Sequence, residues 1–154
     1  MTSTSKIYIE CHKSKWGYLG SDSRFFLITG GRGSGKSFEV GRYACFLSAE
    51  NNHKILFTRQ TMTSAAISII PEFQEKIDLF ELNGHFKVNR SSIENTSSGS
   101  EIIFKGLKTS SGDQTANLKS LQGVTTWILD EAEELMDEDT FDKINLSIRQ
   151  KGTQ

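Results

Sequence analysis

One proline, two cysteines and three histidines are all that 154 residues contain of these types, and no apolar run is long enough to span a bilayer. Each scarcity excludes something. A single proline beside 13 glycines rules out a linker-rich or collagen-like chain. Cys11 and Cys45 lie far apart, without a C-x-x-C or a paired histidine spacing, which argues for free thiols and against both zinc and a disulfide framework. His12, His53 and His85 read as surface residues rather than members of a Ser or Cys dyad. Without a membrane span or the apolar core of a signal peptide, the sequence predicts a soluble intracellular protein with no membrane partner. Charge is nearly balanced, 18 basic against 19 acidic residues. The basic excess lies before Asp130 and the acidic excess after it, a mild split that neither demands nor excludes a nucleic-acid partner. The length suits one domain able to bury roughly two thirds of its unfolded surface.

What is present is ordered. "RFFLIT" at 24–29 is an apolar run that the pattern predicts as a buried strand leading into a Gly-rich loop. From Ser37, the residues Val40, Tyr43, Ala44 and Leu47 recur with helical spacing. "KILFTR" at 54–59 reads as a second buried strand. The stretch 63–80 is helical in pattern, with Pro71 either kinking one helix or starting another. "HFKVNR", "SIENT" and "SEIIFKGL" alternate apolar and polar residues and predict a small antiparallel set, and the run Val124–Leu129 predicts a third core strand ending in acids. This order predicts a three-layer α/β domain around a mainly parallel sheet with a small antiparallel hairpin insertion. Ligands of such sheets bind beyond the carboxyl ends of the strands.

Two chemically loaded stretches fall at such ends. "GGRGSGKS", residues 30–37, has the G-x-x-x-x-G-K-S spacing of a phosphate loop. Its glycines Gly30, Gly31, Gly33 and Gly35 free backbone N–H groups, together with that of Ser34, to converge on phosphate oxygens. The following helix adds its positive end. Lys36 supplies a point charge for the β- and γ-phosphates of ATP, and the Ser37 hydroxyl a ligand for Mg²⁺. "WILDE", 127–131, supplies the complement. Asp130 serves Mg²⁺ through a coordinated water, and Glu131 serves as general base on the attacking water. Glu133, Glu134, Asp137, Glu138, Asp139 and Asp142 read as solvated helix faces and first turns.

These motifs, with "SRFF" before the loop, "KILFTRQ…S" with its strand ending in Arg59, and the succession "IIFKGL…LKSLQG…WILDEAEEL" at 102–135, resemble the ATPase domain of phage terminase large subunits. The resemblance runs over roughly residues 20–150, with Lys119, Ser120 and Gly123 in the expected places. It implies an additional-strand, RecA-like P-loop NTPase fold and an ATPase that drives double-stranded DNA into procapsids in the host bacterial cytoplasm. It also implies a small terminase subunit, a portal protein and a homo-oligomeric ring as partners. Arg32 matches the extra basic residue that these motors keep inside the loop. Either it neutralises charge on the γ-phosphate, as an arginine finger in cis would, or it holds an acid and senses nucleotide.

The sequence stops before the family's coupling strand and nuclease domain, so the resemblance predicts an N-terminal part of a motor, truncated at its C-terminus, with an open sheet edge. Two other readings stand beside it: a helicase-like or recombination ATPase acting on DNA, and a non-catalytic assembly module that binds nucleotide for shape. Lys105, Lys108 and Lys119 are candidates for sequence-independent phosphate contacts to DNA, and a solvated loop fits them equally.

Overall fold

The computed structural model describes residues 24–61, 63, 65–108, 122–134 and 138–148. Cys11, His12, Asp137, Lys119 and Ser120 fall outside the described residues, as does the side chain of Lys108. Among the described residues five strands form one sheet: β1 (Lys54–Thr61), β2 (Phe86–Val88), β3 (Ser92–Asn95), β4 (Glu101–Lys108) and β5 (Thr126–Leu129), in the order β2-β3-β4-β1-β5. Strands β4 and β5 flank β1 and run parallel to it, whereas β2, β3 and β4 pair antiparallel. The predicted hairpin set is therefore not a separate insertion. Its last strand lies along β1 from Lys54↔Glu101 to Thr61↔Lys108, so the hairpin extends the core sheet.

Alternation along β1 divides the core. Ile55 and Phe57 face a cluster made with Ile102, Phe104 and Ile93, capped by Ala44 and Cys45 of α1 (Lys36–Leu47) and by Phe73 and Ile77 of α2 (Ile70–Leu79). Leu56 faces the opposite side, where Val124 and Ile144 of α3 (Glu138–Ile148) bury with it. Helices thus cover both faces, and the period of two in the strand decides which residue meets which layer. Phe73 sets its ring edge against both Phe57 (5.6 Å, 88°) and Phe104 (5.3 Å, 74°), the T-shaped arrangement that aromatic quadrupoles favour.

Pro71 sits in the first turn of α2, directly after a π-helical turn at Ala65–Ile69. Proline has no N–H and its ring collides with the carbonyl four residues back, here that of Ile67, and the turn ahead of it is the wider one. Pro71 therefore opens a helix out of that turn.

Two expectations are corrected. Residues 24–29 do not form a buried strand: none of the five strands pairs with them, and Phe25, Phe26, Leu27 and Ile28 are all exposed, Leu27 by 88%. An apolar run becomes a strand only where a neighbouring edge accepts its hydrogen bonds, and among the described residues no edge meets this one. The segment is tied instead through Arg24, which donates to Asn145 Oδ1 of α3 at 3.2 Å. His53 is not a free surface residue. Its Nδ1 meets Thr125 Oγ1 and its Nε2 meets Glu50 Oε2, both at 3.0 Å, and its N–H donates to Ser100 Oγ. It belongs to a polar belt with Ser48, Ser98 and Ser100 that joins the end of α1 to the starts of β1 and β4.

Candidate functional site at the carboxyl end of the sheet

That belt fixes the direction of α1. The helix hands the chain to β1 at the starting edge of the strands, so its own N-terminus and the loop before it lie toward the carboxyl edge. Ser34 N–H donates to Gly31 O at 3.2 Å, closing a turn whose central residues are Arg32 and Gly33. Gly33 and Gly35 both have φ of +76°, the left-handed region that suits glycine. A Cβ at Gly33 would meet nothing within 4 Å, so the backbone angle and not crowding selects glycine there. Gly35 is the N-cap of α1 and carries no side chain to cap it. The first N–H groups of the helix are left for an external acceptor.

Lys36 folds back over this loop. Its Nζ donates to Gly30 O at 2.5 Å and Gly31 O at 3.0 Å, and lies 3.5 Å from Ser34 Oγ. Arg32 is exposed at the tip of the turn, with no hydrogen bond or ion pair among the described residues. Neither cation meets Asp130 or Glu131, so loop and acids stand as two separate half-sites.

The acidic half-site is built by strand register. Thr58↔Leu129 is the last pairing of β1 with β5, and Asp130 N–H still donates to Thr58 O at 3.0 Å. The next residue on each chain is therefore Arg59 beside Asp130. Arg59 Nε donates to Glu131 Oε2 at 2.7 Å and Nη2 to Glu131 Oε1, a bidentate fork. Nε also lies 3.7 Å from Asp130 Oδ2. The hydrogen bond to Glu131, above all, holds the guanidinium more firmly protonated than usual. Burial pushes the Asp130 carboxyl above the ordinary aspartate range, and the Arg59 charge opposes that only in part. Glu131 holds φ at +52°, a left-handed conformation costing a non-glycine residue about 1–3 kcal/mol. Its carbonyl accepts from Glu134 N–H, which starts the short 3-10 turn Ala132–Glu134.

Sequence patterning singles out Lys36, Ser37, Asp130 and Glu131 as candidates but not the partner of Glu131. In the sequence pattern Arg59 stands only as the end of its strand. A signal did exist, because a basic residue closing one parallel strand and an acid pair closing its neighbour meet if the registers agree. Ser68 Oγ accepts from Arg59 Nη1 at 2.7 Å. Of the acids expected on solvated faces, Glu133, Glu138, Asp139 and Asp142 are exposed, whereas Glu134 is half-buried.

Ser37 and Asp130 offer hard oxygen donors, the chemistry of Mg²⁺, which takes few protein ligands and keeps its water. Among the described residues no group of three or more His, Cys, Asp or Glu side chains could hold a metal unaided. The donor set suits an ion that arrives on phosphate. No helix among these residues is long and apolar enough to cross a membrane.

The large subunit of terminase from Bacillus phage SPP1 is 28% identical over 99 residues, 63% of this chain, and the chain spans 22% of that relative's length. A family profile described as phage terminase large subunit matches residues 22–154, and the chain belongs to that family.

Proposed function

We propose that the chain is the ATP-binding and ATP-hydrolysing part of a terminase large subunit, a P-loop NTPase of the additional-strand, RecA-like kind that drives double-stranded DNA into procapsids. The observation that carries the reading is the uncapped, glycine-shaped start of α1 with Lys36 poised over it. Family membership supports it. On this reading ATP is the substrate. Backbone N–H groups from Gly30 to Ser37 cradle its phosphates, and Lys36 trades the loop carbonyls for phosphate oxygens. Ser37 and Asp130 would hold Mg²⁺, which when bound would neutralise phosphate charge. Water attacks the γ-phosphorus, the bond to the bridging oxygen of ADP breaks, and Glu131 takes the proton. To do so its carboxylate must first leave Arg59. Arg32, exposed at the loop tip, would swing onto charge that builds on the γ-phosphate. The same family reading supplies a small subunit, a portal, a ring of copies and the host cytoplasm as its setting.

Titration with a fluorescent ATP analogue and Mg²⁺ tests it. Wild type binds, Lys36→Ala weakens binding about tenfold or more, and Glu131→Gln binds like wild type while phosphate release falls by about 100-fold. Arg32→Ala slows turnover far more than it weakens binding. Equal affinity in wild type and Lys36→Ala would sink the reading.

A further inference from the structure

The Arg59 guanidinium is held on two edges. The Nε/Nη2 edge forks onto Glu131, and Nη1 donates to Ser68 Oγ at 2.7 Å. A fork alone leaves the guanidinium free to slide and swivel on the carboxylate; a third bond on the far nitrogen fixes its plane. Ser68 is a member of the π-helical turn Ala65–Ile69. Such a turn carries one residue more than an α-helical turn, and each residue advances a helix by about 100°. Relaxing it to α would swing Ser68 round the axis and take its hydroxyl off Arg59.

The surroundings favour two states at this turn. Downstream, Ile70, Phe73 and Ile77 anchor α2 in the core, so the helix cannot follow as a body. Pro71 has no N–H to give to either the π or the α carbonyl partner, which leaves one bond fewer to break in the exchange. Ile67 is 73% exposed, so its movement disturbs no packing. At the other end of the relay Glu131 sits at φ +52°, a strained angle that it holds while Arg59 grips it.

We infer that Ser68 is a positioning residue, and that the π-turn carrying it is a two-state element that decides whether Arg59 holds Glu131 or releases it. This rests on the proposed role of Glu131 as the base. With the turn in π form, Ser68, Arg59 and Glu131 are locked and the carboxylate is unavailable to water. With the turn in α form, Arg59 loses its third anchor and Glu131 is freed. The segment between β1 and α2 thereby acquires a route to the chemistry without touching nucleotide.

The direct test reads the lock itself. The Arg59 Nε–H signal, assigned by its loss in Arg59→Lys, is followed by ¹⁵N NMR in the full chain without nucleotide. Expected is slow exchange with water in wild type, at least about tenfold faster exchange in Ser68→Ala, and near wild-type protection in Ser68→Thr, which keeps the acceptor. Deletion of Ile67, which removes the extra residue of the turn, should match Ser68→Ala. Unchanged protection in Ser68→Ala would overturn the inference. So would equal loss in the alanine and threonine variants, since that would mark a packing effect. In turnover assays Ser68→Ala should raise kcat severalfold at unchanged ATP affinity, and a change confined to KM would count against it. If Lys36→Ala and wild type bind ATP alike, the function reading fails, while the exchange data still decide whether Ser68 sets the Arg59–Glu131 lock.

Discussion

Arg59 grips both carboxylate oxygens of Glu131 across the ends of two parallel strands, with the Asp130 carboxylate 3.7 Å from the same guanidinium. A cation here does two things. It offsets the repulsion between two adjacent carboxylates at the strand end, and it occupies the residue proposed above as the base. A double-mutant cycle on unfolding with Arg59→Ala and Glu131→Ala should give a coupling of about 1 kcal/mol, modest because Glu131 is partly exposed. The coupling should shrink as salt is raised. No coupling at low salt would mean the fork is absent in solution.

Lys76 of α2 is buried, with 3% of its side chain exposed, and its Nζ lies 4.8 Å from the Phe38 ring centroid and donates to Glu72 O. Burial pushes its pKa below the ordinary lysine value of 10.5. The unfolded chain then holds more protons than the folded one between the two pKa values, so this group adds stability as pH rises through that interval. Lys76→Met keeps the volume and removes the buried charge. It should raise stability at neutral pH by about 1 kcal/mol and abolish the rise toward pH 10.5 in denaturant titrations. A large loss of stability instead would show that the stacked cation is worth more than its desolvation.

Cys45 points into the core beside the same lysine, and burial pushes its thiol up to about 12 from an ordinary 9.0. Thiolate is the reactive form, so Cys45, read by itself in the Cys11→Ser variant, should resist a thiol reagent at pH 8 by orders of magnitude in folded protein relative to protein in urea. The linkage runs opposite to that of Lys76. Above pH 9 the folded state holds the proton that the unfolded state loses, and stability falls toward pH 12. Cys45→Ala should flatten that fall. Rapid labelling of Cys45 in that native variant would mean that α1 opens readily.

Gly33→Ala isolates backbone from packing, because the added methyl meets nothing within 4 Å while φ stays at +76°. The left-handed angle should cost about 1–2 kcal/mol, and the loop is expected to relieve it by opening. ATP affinity should then fall several-fold, with thermal stability hardly altered if the loop yields first. Gly31→Ala, with no positive φ and equally open space, is the control and should bind nearly normally.

Local signals carried much of the architecture. The helix from Ser37, the strand at 54–59, the antiparallel alternation at 86–104 and the run into Asp130 all appear close to where patterning puts them, because period and flanking turn residues are properties of neighbours in sequence. The phosphate-loop spacing was equally local: Gly33 and Gly35 adopt the angles that their residue type permits. The segment 24–29 was misread for the converse reason. Its apolarity is local, but a strand needs a partner edge, and that is a property of the whole sheet.

What the sequence by itself determined is thus the chemical inventory: a glycine-shaped loop with Lys36, an acid pair at a strand end, alternating core residues and membership of a packaging family. Tertiary structure decided how the inventory is connected. Only the parallel register of β1 and β5 puts Arg59 on Glu131, only the π-turn before Pro71 brings Ser68 to the same guanidinium, and only pairing along β1 makes the hairpin part of the core sheet. Those contacts join residues far apart in the chain. Their geometry follows from hydrogen-bond register and helix phase, and a shift of one residue in either would part the side chains without changing the sequence pattern at all.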